Sequence, residues 1–206
     1  MQAKVVIIDY GMGNLRSIHK KFQRIGYSAV VSGDINIIRQ ADKLILPGVG
    51  HFANAMKNLR ELNILDVLNE MALVKKVQIL GICLGMQLFA KRSEEGFVDG
   101  LGWLDAEVHR FHVSDTLKFK IPHMGWNSTD IKKSSPLLAN IPVNSLFYFV
   151  HSYHMNCNSK EDILTTTVYD YEFVSAVQKN NIFGTQYHPE KSFDWGETIL
   201  KNFADL

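Results

Sequence analysis

Gly81-Ile82-Cys83-Leu84-Gly85-Met86-Gln87 brings together residue types that can do acyl-transfer chemistry. Cys83 has a glycine two positions before it and another two after. The apolar run Val77–Leu80 ahead of it predicts a buried strand, and Leu88-Phe89-Ala90 behind it predicts a helix. A cysteine on such a strand-to-helix turn is the thiol form of the nucleophile elbow. A side chain at Gly81 or Gly85 would crowd the neighbouring strand and helix. The turn lifts the sulfur to the carboxyl edge of a sheet, and a helix start beside it favours the thiolate. A lone free cysteine is more often a small apolar core residue. The flanking glycines weigh against that here.

A thiolate nucleophile needs a base, a group to orient the base, and donors for the oxyanion. His188-Pro189-Glu190 follows a strand-like run, Ile182–Tyr187. Pro189 keeps His188 extended, and Glu190, two residues on, can point the same way and hold the imidazole tautomer. Pro47-Gly48-Val49-Gly50 follows the strand Leu44–Leu46, expected to stop at Pro47. Its glycines let backbone amides turn toward a bound carbonyl, and the amide of Leu84 is a second donor. Taken singly, these are a strand-end histidine beside a solvated glutamate and an ordinary turn. Placed together at the carboxyl edge of one parallel sheet, where α/β ligand sites gather, they reinforce one another.

The elements that must position these groups are legible as a βαβαβ rhythm. Strands are expected at Val5–Ile8, Tyr27–Val31, Leu44–Leu46 and Val77–Leu80. Helices are expected over Asn14–Ile25, Ile35–Gln40, Phe52–Leu59 and Ile64–Leu73, with Asn14 near the first helix start as a cap and Gly26 ending that helix. The second half is richer in aromatic and β-branched runs: Trp103–Phe111, Phe119–Ile121, Leu146–Val150, Ile163–Val168, Phe173–Val177 and Ile182–Tyr187. Lys179-Asn180-Asn181 reads as a hairpin turn, and a last helix covers Trp195–Phe203. The expected fold is α/β and flavodoxin-like: a central, mostly parallel sheet flanked by helices, with an antiparallel extension. No repeat or linker divides the chain, so residues 1–206 are expected to form one domain.

Bulk composition excludes several function classes. Hydrophobic residues make up 46% and charged residues 21% of the 206-residue chain, as in ordinary globular proteins. A formal net charge of +1 offers no electrostatic case for nucleic acid or an anionic membrane. Two cysteines, Cys83 and Cys157, make no disulfide framework and suit a reducing cytoplasm. Val5–Ile8 is too short for a signal-peptide core, and no run reaches membrane-spanning length.

Two further patterns invite other chemistry. Gly11-Met12-Gly13 sits between a strand and a helix, as in a dinucleotide-binding turn. The third small residue of that fingerprint is replaced by Arg16, so a tight structural turn is the better explanation and no cofactor is expected. His109 and His112, like His151 and His154, are three apart. In a strand that spacing puts the pair on opposite faces, so no metal site is expected. Cys157 lacks the elbow context and is expected to be structural.

Gly-x-Cys-x-Gly-x-Gln with a late His-Pro-Glu resembles the class I, or triad, glutamine amidotransferases. Further blocks narrow the resemblance: Asp9–Asn14, Leu46–Gly50, Pro122–Asn127, Tyr148–Tyr153 and Gly184–Ser192. In order and nearly end to end, these match the glutaminase subunits of imidazole glycerol phosphate synthase. The resemblance implies Cys83 as nucleophile, His188 as general acid and base, and Glu190 as its orienter. It implies Val49 and Leu84 as oxyanion donors, with Gly50, Gln87, Ser152 and Tyr153 binding L-glutamine. Gln87 also makes sense physically, one helical turn from Cys83. A partner is implied as well: a (β/α)8 barrel cyclase, bound as a heterodimer, that receives the ammonia. Pro122, His123, Met124, Trp126, Asn127 and Tyr148 resemble the docking surface, although Trp126 by residue type could equally be core.

Two alternatives stay open. Paralogous glutaminase subunits supply ammonia to sugar-amidating enzymes of surface-polysaccharide synthesis, and the segment Phe193-Asp194-Trp195-Gly196 fits the resemblance to the synthase, an enzyme of histidine biosynthesis, less closely than the other blocks do. A non-catalytic binding module on the same fold is the other, and an intact Cys83, His188 and Glu190 count against it.

Overall fold

The computed structural model describes residues 3–206. Its first half runs Val5–Ile8 (β1), Leu15–Arg24 (α1), Ala29–Ser32 (β2), Ile35–Arg39 (α2), Lys43–Gly48 (β3), Phe52–Glu61 (α3), Ile64–Asn69 (α4), Gln78–Cys83 (β4) and Leu84–Gln87 (α5). Short strands Arg92–Ser93 (β5) and Val98–Asp99 (β6) lead to Ala106–Arg110 (β7), His123–Ser128 (β8), Asp130–Ile131 (β9), Leu146–His151 (β10) and Tyr153–Cys157 (β11). Ile163–Tyr169 (β12), Tyr171–Lys179 (β13), Ile182–Thr185 (β14) and Phe193–Asp205 (α6) complete the chain.

Five strands form a parallel core in the order β2-β1-β3-β4-β14. With β14 as the fifth parallel strand, this is the 2-1-3-4-5 order of flavodoxin-like sheets. Beyond β14 the sheet continues through antiparallel β13, β11 and β7, while β8 and β10 form a separate ribbon. Alternation along the strands builds two cores. Val6 and Ile8 pack with α2, α3 and α4 through Ile38, Phe52, Met56 and Leu68. Val5 and Ile7 pack on the other face with Ile18 and Phe22 of α1 and Ile199 and Phe203 of α6. Both faces of a parallel sheet must be covered in this way, which is why these strands read as unbroken apolar runs.

Several elements depart from the sequence expectation. β3 does not stop at Pro47 but pairs with β4 through Gly48. Its pairing with β1 ends at Ile45, so Pro47 has a strand on one side only, where a proline is tolerated. Leu88–Ala90 is not helical, and α5 is a single turn. The carbonyls of Leu88, Phe89 and Ala90 are instead taken by the amides of Leu101, Leu104 and Gly102. One turn carries little macrodipole, so the electrostatic gift of a long helix to Cys83 is absent. The helix expected over Ile64–Leu73 gives way after Asn69 to a π-turn, Glu70–Val74. Phe119 closes a turn onto the Asp115 carbonyl rather than joining a strand. Asn14 makes no side-chain cap; its amide reaches Glu190 instead, at 3.5 Å. The hairpin at Asn180-Asn181 forms as expected, with Asn180 at φ 53°.

Candidate active site

β3, β4 and β14 lie side by side and parallel, so their carboxyl ends converge. Gly48 is the register partner of Cys83, and Thr185 that of Ile82. Pro47–Gly50, the Cys83 turn and the segment from Gln186 to Glu190 therefore leave the sheet at one edge. Cys83 stands at φ 54°, ψ −112°, a strained backbone for a residue with a side chain. The close approach explains both flanking glycines. A Cβ on Gly85 would lie 1.8 Å from the Leu46 carbonyl oxygen, and one on Gly81 2.7 Å from the Met86 nitrogen. The loop beside the sulfur is held from beneath, where the buried Tyr10 hydroxyl donates to the Pro47 carbonyl at 2.7 Å.

His188 is extended (φ −98°, ψ 96°), as the following proline requires, and begins the 3-10 turn Pro189–Lys191. Its amide donates to the Tyr148 carbonyl at 2.9 Å, and its own carbonyl accepts from Ser192 Oγ at 2.6 Å. Nδ1 lies 2.9 Å from Glu190 Oε1, with both side chains buried. Nε2 has no protein hydrogen-bond partner among the described residues. Burial alone would lower the proton affinity of this ring. The negative charge of an ionised Cys83, together with the hydrogen bond and charge of Glu190, outweighs burial and raises the His188 pKa to about 10. At neutral pH His188 is then an imidazolium facing the Cys83 sulfur.

A cavity of about 320 Å³ opens at this edge, lined by Cys83 and His188. The residues expected to bind substrate, Gly50, Gln87, Ser152 and Tyr153, all line it, as do the expected oxyanion residues Val49 and Leu84. Two residues that sequence reasoning passed over also belong to this edge, one lining the cavity and one behind it. Glu95 lines the cavity, with Oε2 accepting from the Phe52 amide at 2.8 Å. In the run Ser93-Glu94-Glu95 it looks like any surface charge, and only the β5–β6 hairpin brings it to the site. Gln186 follows β14, fully buried, with Nε2 3.6 Å from Cys83 Sγ. A larger cleft of about 470 Å³ beside β7 is lined by Arg92, Glu94, Glu107 and His109. These four groups are engaged with one another, and no cysteine lines the cleft.

The expected docking residues divide. Met124 (62% exposed) and Trp126 (43%) are on the surface, and Trp126 stacks on Phe193 with ring centroids 5.0 Å apart. Trp126 is thus not a core residue. Tyr148 is half-buried beside Trp126, Asn127 half-buried against the Val168 carbonyl, and Pro122 exposed at the cavity. His123 is buried, stacked on Tyr169, with Nδ1 3.1 Å from His151 Nε2; its side chain is not part of an open surface. His151 and His154 also differ from expectation. The chain passes from β10 to β11 at Ser152, so both rings pack on Phe111, at 5.2 and 4.7 Å, rather than on opposite faces. Among the described residues, no three His, Cys, Asp or Glu side chains are grouped to hold a metal. Cys157 is half-buried outside the site, where burial pushes its thiol up to about 12.

Residues 6–205 match the family described as Glutamine amidotransferase class-I, and the chain belongs to that family. Two Methanococcus maripaludis proteins, imidazole glycerol phosphate synthase subunits HisH 2 and HisH 1, are 49% and 46% identical to it. The matches cover 97% and 98% of this chain and 98% and 99% of theirs. A Thermoplasma acidophilum structure, described as that of a GMP synthase subunit, superposes with a TM-score of 0.73, over 100% of this chain and 94% of that one. At 18% identity that likeness speaks for the fold alone. No helix among the described residues is long and apolar enough to cross a membrane.

Proposed function

We propose that this chain is the glutaminase subunit of an imidazole glycerol phosphate synthase, hydrolysing L-glutamine at Cys83 and passing ammonia to a (β/α)8 cyclase bound as a heterodimer. The observation that carries the chemistry is the buried His188–Glu190 pair, whose unpartnered Nε2 shares a cavity with Cys83. The Cys83 thiolate attacks the side-chain carboxamide carbon, and the amides of Val49 and Leu84 receive the oxyanion. His188, protonated, hands its proton to the departing nitrogen, so the C–N bond breaks and ammonia leaves a glutamyl thioester.

The same histidine must then act as a base on water. Its high proton affinity depends on the thiolate, and acylation removes that charge. Burial, which opposes the proton, remains. The now neutral ring can take a proton from water, and the C–S bond breaks to release glutamate. Nδ1 stays on Glu190 throughout, fixing the tautomer. Glu95 offers a carboxylate to the substrate's α-ammonium, while Ser152 and Tyr153 can donate to its carboxylate. The exposed Met124, Trp126 and Phe193, with Tyr148 beside them, form the surface on which the partner barrel seats.

A second acceptor is consistent with the two numbered subunits of Methanococcus maripaludis, both nearly equally similar to this chain. A paralogue serving a sugar-amidating enzyme would keep the whole glutaminase site, since acceptor chemistry lies in the partner. Glutamate release by the assembled complex tests the shared step. Cys83→Ala should reduce it on the order of 10⁴-fold or more, and retained turnover would sink the assignment.

A further inference from the structure

Gln186 occupies the first position beyond β14, between the sheet and the triad, and is 0% exposed. Its Nε2 lies 3.6 Å from Cys83 Sγ, within reach of an N–H···S hydrogen bond. The other end of the amide is tied down. Gln87 Nε2 donates to Gln186 Oε1 at 2.9 Å and also to the Tyr153 carbonyl at 2.9 Å. Both N–H groups of Gln87 are thereby spent, and the direction of the Gln186 amide is set. Turning it over would face one NH₂ with another and put a carbonyl oxygen against the sulfur lone pairs. An apolar side chain would fill the same space at no desolvation cost, so a buried amide with this fixed aim suits a charged sulfur better than a neutral one.

We propose that Gln186 is a further catalytic residue, an amide donor to the Cys83 thiolate, with Gln87 as the positioning residue that aims it. The proposal rests on Cys83 being the nucleophile. Sulfur carries negative charge at two points in the cycle. Before attack, its lone pair has yet to form the S–C bond. During hydrolysis, water's oxygen bonds to the carbonyl carbon, the C–S bond breaks, and the electron pair returns to sulfur. Gln186 faces the sulfur at both points, and Gln87 joins its aim to the Tyr153 backbone at the wall of the substrate cavity. A change at that wall is thus one hydrogen bond away from the donor that steadies the thiolate.

The test needs neither substrate nor partner. Alkylation of Cys83 by iodoacetamide, followed by peptide mass mapping to separate it from Cys157, reads the thiolate directly. Gln186→Leu should slow alkylation at pH 7 about tenfold, with recovery at alkaline pH, because one charge-assisted donor is lost. Gln186→Glu, nearly isosteric and unable to donate as a carboxylate, should slow it at least as much. Wild-type rates in both variants overturn the proposal. Should either variant fold poorly, the unaltered chain decides: the Gln186 side-chain ¹⁵N–H resonances must shift in step with ionisation of Cys83, and resonances that stay fixed overturn it. A wild-type complex that releases no glutamate, with slowed alkylation in the variants, would instead defeat the glutaminase assignment and leave this donor in place.

Discussion

Gly48 and Cys83 are register partners across parallel strands β3 and β4, so the Val49 amide and the Cys83 sulfur emerge at the same height on one sheet edge. The contact is close enough that nothing larger than hydrogen fits at Gly85, where a Cβ would overlap the Leu46 carbonyl at 1.8 Å. Gly85→Ala should therefore destabilise the chain by more than about 3 kcal/mol or prevent folding. Gly102→Ala is the comparison: φ is +67° but nothing lies within 4 Å, so only the backbone cost, about 1 kcal/mol, applies. Urea unfolding of both variants checks this, and equal losses would contradict it.

His188 is held protonated by its neighbours against its own burial. Replacing Cys83 with serine removes the thiolate but keeps Glu190. The imidazole of Cys83→Ser should lose its proton well below the wild-type value of about 10, as followed by ¹⁵N or ¹³C NMR of the ring. An unchanged titration would mean that Glu190 alone sets the charge, and the acid-to-base exchange drawn above would fail.

Three buried histidines point the other way. Burial lowers His123 and His154 from 6.5 to about 4, and His151 well below its usual value. Each binds its proton more weakly folded than unfolded, so its contribution to stability is complete above pH 6.5 and lost as pH falls toward 4. That loss is up to about 3 kcal/mol for each of His123 and His154. Unfolding measured from pH 7.5 to 4.5 should show stability falling with acid, and His154→Gln should flatten the slope. A flat profile in the unaltered chain would contradict the burial of these rings.

The surface stack of Trp126 and Phe193 gives a prediction about assembly. Phe193 is 70% exposed, so Phe193→Ala should leave the stability of the free chain within about 0.5 kcal/mol. Docking of the barrel partner should weaken by about 1–2 kcal/mol, near tenfold in Kd, for Phe193→Ala and Trp126→Ala alike. Titration calorimetry with the partner measures it, and unaltered affinity would move the docking surface elsewhere.

Periodicity and glycine placement made the parallel core readable, because strands covered on both faces are unbroken apolar runs and the elbow tolerates no other spacing. Cys83, His188 and Glu190 stood out as candidates for the same reason: adjacent parallel strands deliver their carboxyl ends together. What stayed hidden depends on long-range packing. Glu95 reaches the cavity only through the β5–β6 hairpin, and the polar strands β8 and β11 carry no strong alternation. Asn14 resembles a cap until Glu190, far along the chain, claims it. The face of His154 is decided by the crossing at Ser152, which no local spacing encodes. Gln186 lay within a recognised block, yet its partner atom is 103 residues away.

On this account, Cys83 makes ammonia for a second protein. Glutamate release should be measured for the purified chain, for its mixture with the barrel cyclase, and for that mixture with the cyclase's ribonucleotide ligand. The chain alone should be nearly silent, and the loaded pair should turn glutamine over. Full activity in the isolated chain, or activation only by a sugar-amidating partner, would contradict its assignment to imidazole glycerol phosphate synthase.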